Sequence, residues 1–478
     1  MKLTFDVSDK PKAGQLVVFA LQQMLAILAA TIAVPLIIGN GLTPAAAMFG
    51  AGVGTIVYIL FTKRKSPVFL GSSFAFLGSM AAAFAGGVSM QLGMLGLIVG
   101  AFLAGLVYVI IAIVVKFVGV GWLNKLMPAV VIGPTVAIIG LSLAGNAIGD
   151  LLKGDVTKQV TEYTVSTDSG APEIIETVSN VPVGSSYVAL ICGLITLAVV
   201  MLCSTYGKKT LRLIPFIIGI LAGYAAAAIF TVIGTVCDID ALKIVDFSVF
   251  SSYMLTDGSI SLKTFVSLPD FAFVSGLKGL KEFDFSYFAT IFVAYVPVAL
   301  VVFAEHVADH KNLSSIIDHD LLEEPGLTRT LLGDGVGSIA GAFFGGCPNT
   351  TYGESVACVA ITGNASVITI FAAAIGCMLF SFITPLVAFV DSIPACVMGG
   401  VCIALYGFIA VSGLKMIQDV NLDENRNLFV VSVILIAGIG GLTLTFGDIT
   451  LTEVAAALIL GILTNVMLSK KKGNVAKK

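Results

Sequence analysis

Long apolar runs recur along almost the whole chain, from Gln15 to Leu468, and they decide what its solvent must be. About fourteen can be counted, at 15–38, 44–62, 67–86, 91–116, 124–146, 184–204, 210–236, 286–305, 330–346, 350–363, 365–390, 393–414, 427–446 and 449–468. A run of roughly 18 or more apolar residues crosses a hydrocarbon core of about 30 Å as a helix. Lipid offers no partner to a backbone N–H or C=O, so an unbroken run must pair these groups internally, as a helix does. Composition agrees: 57% of residues are hydrophobic and 12% charged, about half the charged share of a soluble domain. The expected fold class is an all-α integral membrane protein of about fourteen transmembrane helices, in contact with membrane lipid and with no nucleic-acid partner.

Orientation follows from the basic residues, because Lys and Arg accumulate in cytoplasmic loops. With a cytoplasmic N-terminus and fourteen helices, about 20 of the 26 Lys and Arg fall inside. They include Lys63, Arg64, Lys65, Lys208, Lys209, Arg212 and the Lys470-Lys471-Lys472 tail. Both termini are therefore expected in the cytoplasm. The polar start Met1 to Gly14 leads directly into a full-length apolar segment, so the first helix is expected to act as its own targeting signal rather than be cleaved. The eight cysteines, Cys192, Cys203, Cys237, Cys347, Cys358, Cys377, Cys396 and Cys402, show no C-x-x-C spacing. They read as reduced packing residues, not as a disulfide framework or zinc site.

Two polar stretches interrupt the helices, 147–183 and 237–285, both outside and too small for a separate catalytic domain. A repeat organises the remainder. Pro128-Ala129-Val130-Val131-Ile132-Gly133 in the fifth segment returns as Pro394-Ala395-Cys396-Val397-Met398-Gly399 in the twelfth. A repeat of seven helices is odd, so its second copy enters the membrane from the opposite side, the inverted architecture of secondary transporters. The third and tenth segments test this pairing. They carry Gly71-Ser72-Ser73-Phe74-Ala75-Phe76 and Pro348-Asn349-Thr350-Thr351-Tyr352-Gly353-Glu354-Ser355, both short and broken by Gly, Ser, Thr or Pro. Broken backbone is tolerated in a membrane only where it lines a polar cavity. Paired breaks place a substrate site between these two segments, with half-helix N-termini offering amide donors.

Carboxylates inside a membrane cost roughly 2.5–3.5 kcal/mol on insertion scales, so each needs a reason. Glu354 follows the break in the tenth segment, where it could accept hydrogen bonds from the N–H groups of a neutral heterocycle; the competing reading is a helix-capping carboxylate. Glu305 closes the apolar run Tyr295 to Ala304, and Asp309 lies one turn further on the same face. Two acids there could share a proton, since burial and a like-charged neighbour both favour the protonated form. Alternatively the helix ends at Glu305 and both are solvated. His306 and His310 are also spaced i, i+4, which with Asp309 permits a metal site; without an H-E-x-x-H motif they read instead as the polar cytoplasmic end of the helix. Asp334 and Glu453 are further candidate buried acids, and read first as helix-end or structural residues. Tyr406 could lie against a planar ligand or pack at an interface.

The stretches Phe69-Leu70-Gly71-Ser72-Ser73-Phe74-Ala75-Phe76, Phe303-Ala304-Glu305-His306-Val307-Ala308-Asp309-His310 and Pro348 to Glu354 resemble the nucleobase/ascorbate transporter family, also called nucleobase:cation symporter-2. The likeness covers nearly the whole chain and points to the bacterial uracil permease branch, because the xanthine and urate branch tends to carry Gln where Glu354 stands. It implies fourteen helices in two inverted sevens, with short antiparallel strands in the breaks. A core of helices 1–4 and 8–11 (residues 1–120 and 286–390) would move against a gate of helices 5–7 and 12–14 (residues 121–285 and 391–468), with a basic cytoplasmic tail at 469–478. It further implies a homodimer in the plasma membrane that imports uracil with protons, using no metal and no cofactor beyond H⁺. Carried over residue by residue, Glu354 would hydrogen-bond the uracil ring, and the amides of Phe74 and Gly353 would reach its carbonyl oxygens. Glu305 would bind the ring, directly or through water, and take the proton, with Asp309 beside it; Ala30, Ser73, Tyr352 and Tyr406 would line the pocket. Three departures stand out: Ser355 and Ala357 replace a usual Asn and Gly, Gln22-Gln23 stands where Gln-His is common, and Asp309 stands where the uracil branch can have His.

Within the same family a xanthine or other purine carrier is the nearest alternative. A sulfate or bicarbonate-type anion carrier is more distant. No Lys or Arg falls at the two breaks, and an ionised Glu354 would repel an anion. A membrane enzyme would need a nucleophile and base or a metal cluster, and neither shows recognisable spacing. A channel needs a continuous pore in place of paired breaks.

Overall fold

The computed structural model describes residues 3–119, 128–166, 173–208, 211–212, 214–254, 259–418, 420–446 and 449–469. The start of the fifth segment, at 124–127, and the tail beyond Ser469 lie outside the described residues. Contacts divide the chain into two compact units, one of residues 1–143, 265–387 and 405–478, the other of 144–264 and 388–404. Among the described residues, eight helices are long and apolar enough to cross a membrane and five apolar helices are shorter. The chain is a multi-pass helical membrane protein.

In the first unit, helices Pro44–Phe61 and Leu327–Gly345 approach closely because both carry small residues on the facing side. A methyl group on Gly50 would come within 2.3 Å of the Gly341 carbonyl, and one on Gly54 within 2.7 Å of the Gly337 carbonyl. Without a hydrophobic force between helices in lipid, such backbone contact is what associates them. The Asn349 side chain reaches into this seam and donates to the Gly50 carbonyl at 3.2 Å, so the tenth segment is pinned where its break begins.

Both breaks expected from the sequence are present, and they meet. Strand Leu70–Ser72 pairs antiparallel with Asn349–Thr351, in the register Leu70↔Thr351, Gly71↔Thr350, Ser72↔Asn349. Thr55 clips the first strand from the side, donating to the Leu70 carbonyl at 3.1 Å and accepting its N–H at 2.9 Å. The chain then turns through Phe74–Phe76 into helix Leu77–Ala83 on one side, and into helix Gly353–Thr362 on the other. The far end of that second half-helix is held by the N-terminal segment. Thr4 N–H donates to the Gly363 carbonyl at 2.7 Å and Ala365 N–H to the Phe5 carbonyl at 2.9 Å. Leu3 and Val7 pack on a cluster formed by Tyr58, Leu70, Leu313, Val356 and Val359.

Three expected segments differ in detail. The run 365–390 is two helices, Val367–Phe380 and Thr384–Asp391, because Pro385 has no N–H for the preceding turn, and between the helices the Phe382 carbonyl accepts from Ser267 N–H. The runs 427–446 and 449–468 yield shorter helices, Asn425–Ile439 and Glu453–Met467, joined through a hairpin of strands Leu444–Phe446 and Ile449–Leu451. Gly441, at φ 68, ends the first helix, and the Thr- and Ile-rich sequence beyond it favours extended backbone.

The second unit carries helices Ser186–Tyr206 and Pro215–Val236, a hairpin of strands Thr157–Ser166 and Glu173–Pro182, and the start of helix Ala395–Met416. The N-terminus of that last helix, in the repeated Pro-Ala motif, is capped by Asp155, whose carboxylate accepts the Ala395 N–H at 3.0 Å. Both polar stretches noted in the sequence are partly ordered, the first as this hairpin and the second as short helical turns.

Candidate functional site

Helix Phe285–Ile317 runs unbroken through Glu305 and Asp309, so it does not end at Glu305. Glu305 opens onto a small cavity of about 50 Å³ where the two breaks meet. Phe74 and Ala75 form one wall and Thr350, Thr351, Tyr352, Gly353 and Glu354 the other; Val136, Ile139, Leu405 and Ile409 close the apolar side. Gly353 and Glu354 are the first residues of their half-helix, and the leading N–H groups of a helix have no acceptor within it. The cavity thus offers amide donors at Gly353 and at Phe74, carboxylate acceptors at Glu305 and Glu354, and no cationic side chain among its lining residues. A neutral, planar molecule bearing both N–H and C=O groups matches that set. Tyr352 lies against the first break: its hydroxyl donates to the Ser72 carbonyl at 2.8 Å, and a methyl group on Gly71 would fall 2.4 Å from its ring.

Residues 14–179 and 169–446 match the sequence family described as Permease family. Relatives include the uracil permease of Bacillus caldolyticus, 35% identical over 98% of this chain and 95% of its own length. The uracil permease of Bacillus subtilis (strain 168) is 34% identical over 98% and 96%, and that of Escherichia coli (strain K12) 33% over 95% and 92%. The chain belongs to the nucleobase:cation symporter-2 family. Among solved structures, the transmembrane domain of the cyanobacterial bicarbonate transporter BicA matches this permease with a TM-score of 0.61 at 13% identity, covering 96% of this chain and 100% of that one. SLC26A9 matches with a TM-score of 0.58 at 13% identity, over 96% of this chain and 67% of that one. At such low identity these two likenesses show the fold alone.

Of the residues singled out from sequence, the permease brings Phe74, Glu305, Tyr352, Gly353 and Glu354 to the cavity wall. Tyr406 stands one layer back, edge-on to Phe74 with ring centroids 5.9 Å apart. Ser73 is buried beside the strand pair, its N–H on the Pro348 carbonyl at 2.9 Å, and Ala30 is buried within helix Ala13–Ile38; neither lines the cavity. Asp309 sits behind the second strand, where it accepts the Thr351 hydroxyl at 2.7 Å.

The two histidines differ from the sequence expectation of a polar helix end. Both are fully buried. His306 pairs through Nδ1 with Asp334 at 2.7 Å and through Nε2 with Thr330 at 3.0 Å. His310 donates through Nδ1 to the His306 carbonyl at 2.7 Å and meets the Tyr58 hydroxyl through Nε2 at 2.6 Å. With these partners they tie the helix to its neighbours.

Sequence reasoning missed Thr350, whose buried hydroxyl has no partner among the described residues, and the apolar wall. A signal for that wall existed. Ile139 and Leu405 stand at the same distance past the repeated proline, Pro128 and Pro394, so the repeat that suggested inverted halves also marked their cavity-facing positions.

Proposed function

We propose that this permease imports uracil across the plasma membrane in symport with protons. The observation that carries the reading is the cavity itself: helix-start amides from both breaks opposite two carboxylates, with no Lys or Arg among its lining residues. Glu354 accepts from the ring N–H groups, and the amides of Phe74 and Gly353 donate to its carbonyl oxygens. Glu305 contacts the ring and takes the proton, with Asp309 sharing it. The names of the three permeases above agree with this substrate.

The remaining parts of the proposal rest on family likeness and the distribution of basic residues. They are fourteen spans in two inverted sevens, a core of residues 1–120 and 286–390 moving against a gate of 121–285 and 391–468, cytoplasmic termini, and a homodimer. The coupling ion is H⁺, with no cofactor.

The test is uptake of radiolabelled uracil into proteoliposomes with and without an inward proton gradient, challenged with excess uracil, xanthine or sulfate. Gradient-driven accumulation blocked by uracil alone is expected. Competition by xanthine would move the assignment to a purine carrier, and competition by sulfate alone would overturn the nucleobase reading.

A further inference from the structure

Gln23 and Ser355 lie 332 residues apart in sequence and touch. The Gln23 amide donates through Nε2 to the Ser355 hydroxyl oxygen at 2.5 Å. That same oxygen accepts the backbone N–H of Phe69 at 3.1 Å. One side-chain oxygen therefore joins three elements: helix Ala13–Ile38, the residue leading into strand Leu70–Ser72, and the first turn of half-helix Gly353–Thr362. All three residues are buried, with Gln23 2% exposed and Ser355 and Phe69 at 0%, and none lines the cavity. Glu354 is the next residue along from Ser355.

We propose that Gln23 and Ser355 form a matched positioning pair that sets where Glu354 stands relative to the strand pair. The proposal deepens the function above and rests on Glu354 being the substrate's acceptor. A long amide reaching from the first helix suits a short hydroxyl on the half-helix; a longer side chain at 355 would crowd the buried Gln23 amide, and a shorter reach at 23 would leave the hydroxyl. Either change alone shifts the half-helix, and with it the neighbouring carboxylate. Small misplacements of a binding group are costly because the ligand reads its direction as well as its presence.

Uracil uptake by purified protein in proteoliposomes tests this, with KM and maximal rate measured for the natural sequence, Ser355→Ala, Ser355→Asn, Gln23→Ala and the double change Gln23→Ala with Ser355→Ala. Ser355→Ala removes only the hydroxyl and retains the volume best, so it serves if the bulkier variants do not fold. Ser355→Thr, which keeps the hydroxyl, is the conservative control. Each single loss is expected to raise KM about tenfold, the scale of one buried hydrogen bond left unmade, with maximal rate per folded molecule changed less than about twofold. Ser355→Thr should stay near the natural KM, and the double change should cost little more than either single change, since both remove the same contact. Lowered melting temperatures with unchanged KM in the singles would make the contact merely structural and overturn the proposal, as would penalties that simply add in the double variant. If the natural protein carries no uracil, the functional reading itself has failed and the positioning role falls with it; uptake by the natural protein with unaffected singles sinks the pair alone.

Discussion

Helix Phe285–Ile317 has two faces one residue apart in sequence, and they are built for opposite purposes. Glu305 and Asp309 occupy one face, with Glu305 open to the cavity and Asp309 held by the Thr351 hydroxyl alone among the described hydrogen bonds to its side chain. His306 and His310 occupy the other, closed to solvent, their four ring nitrogens all engaged. Because a carbonyl can only accept, His310 Nδ1 must carry its proton; in the neutral imidazole Nε2 then accepts from Tyr58, and Tyr58 in turn accepts from Ser66 at 2.7 Å. Such a chain has one arrangement. The acid face has several, since each carboxylate can gain a proton or a ligand without breaking a closed network. A transporter needs both: a fixed frame that keeps the site assembled, and a face whose contacts change with cargo.

The comparison breaks most visibly at Asp334. Asp334→Ala leaves Nδ1 of the buried His306 without its partner and should cost about 1–3 kcal/mol, the penalty for a buried hydrogen-bonding group left unpaired, read as a drop in melting temperature. A stable Asp334→Ala protein that has lost only proton-driven accumulation would put the imidazole face into the transport mechanism and end the distinction. On the acid face, Glu354→Gln should weaken uracil binding roughly 10–100-fold, since an acceptor is exchanged for an amide that also presents donors, while the melting temperature of the empty protein stays close to natural. Glu305→Gln should abolish accumulation driven by a pH gradient and retain exchange of internal for external uracil; intact accumulation would remove Glu305 from the proton's path. Tyr58→Phe, back on the closed face, leaves the Nε2 atom of His310 without a donor. It should lower stability by about 1–2 kcal/mol with KM unchanged.

How much of this was legible in the sequence depends on the kind of signal. The paired breaks were readable because lipid forbids unpaired backbone, so Gly71-Ser72-Ser73 and Pro348-Asn349-Thr350 could be stable only where they faced a cavity or each other. Glu305 and Glu354 were readable because a carboxylate in an apolar run demands a reason. The imidazole face was not, since a partner such as Asp334 lies on another helix and i, i+4 spacing alone fits a solvated end equally well. Asp309's position behind the strand, and the contact of Gln23 with Ser355, depend on how far the breaks displace the half-helices, which no local pattern records. The hairpin between Leu444 and Leu451 was hidden because its Thr- and Ile-rich residues are apolar enough to pass for a continuing helix.

A third carboxylate, outside the membrane spans, sharpens the contrast, because its pH response must be separated before any is credited to the acid face. Asp155 is half-buried at the head of helix Ala395–Met416, and burial pushes its carboxyl up to about 6, against the opposing effect of the Ala395 N–H it accepts. Asp246 and Asp150 nearby add to the rise. The unfolded chain holds this proton less tightly, so between the ordinary aspartate range and about pH 6 the folded protein binds a proton that the unfolded chain has released. By linkage, its contribution to stability is fully present below about pH 4 and is lost as pH rises through about 6. Asp155→Asn keeps an oxygen for the Ala395 N–H and cannot ionise, so this part of the pH dependence should flatten. The effect expected is the smallest of the set, about 1–3 °C in melting temperature between pH 4.5 and 7, with transport unaltered. If the slope persists in Asp155→Asn, the titrating group lies elsewhere, and Glu305 and Asp309 become the first places to look; if it vanishes, the acid face can be studied by pH without this background.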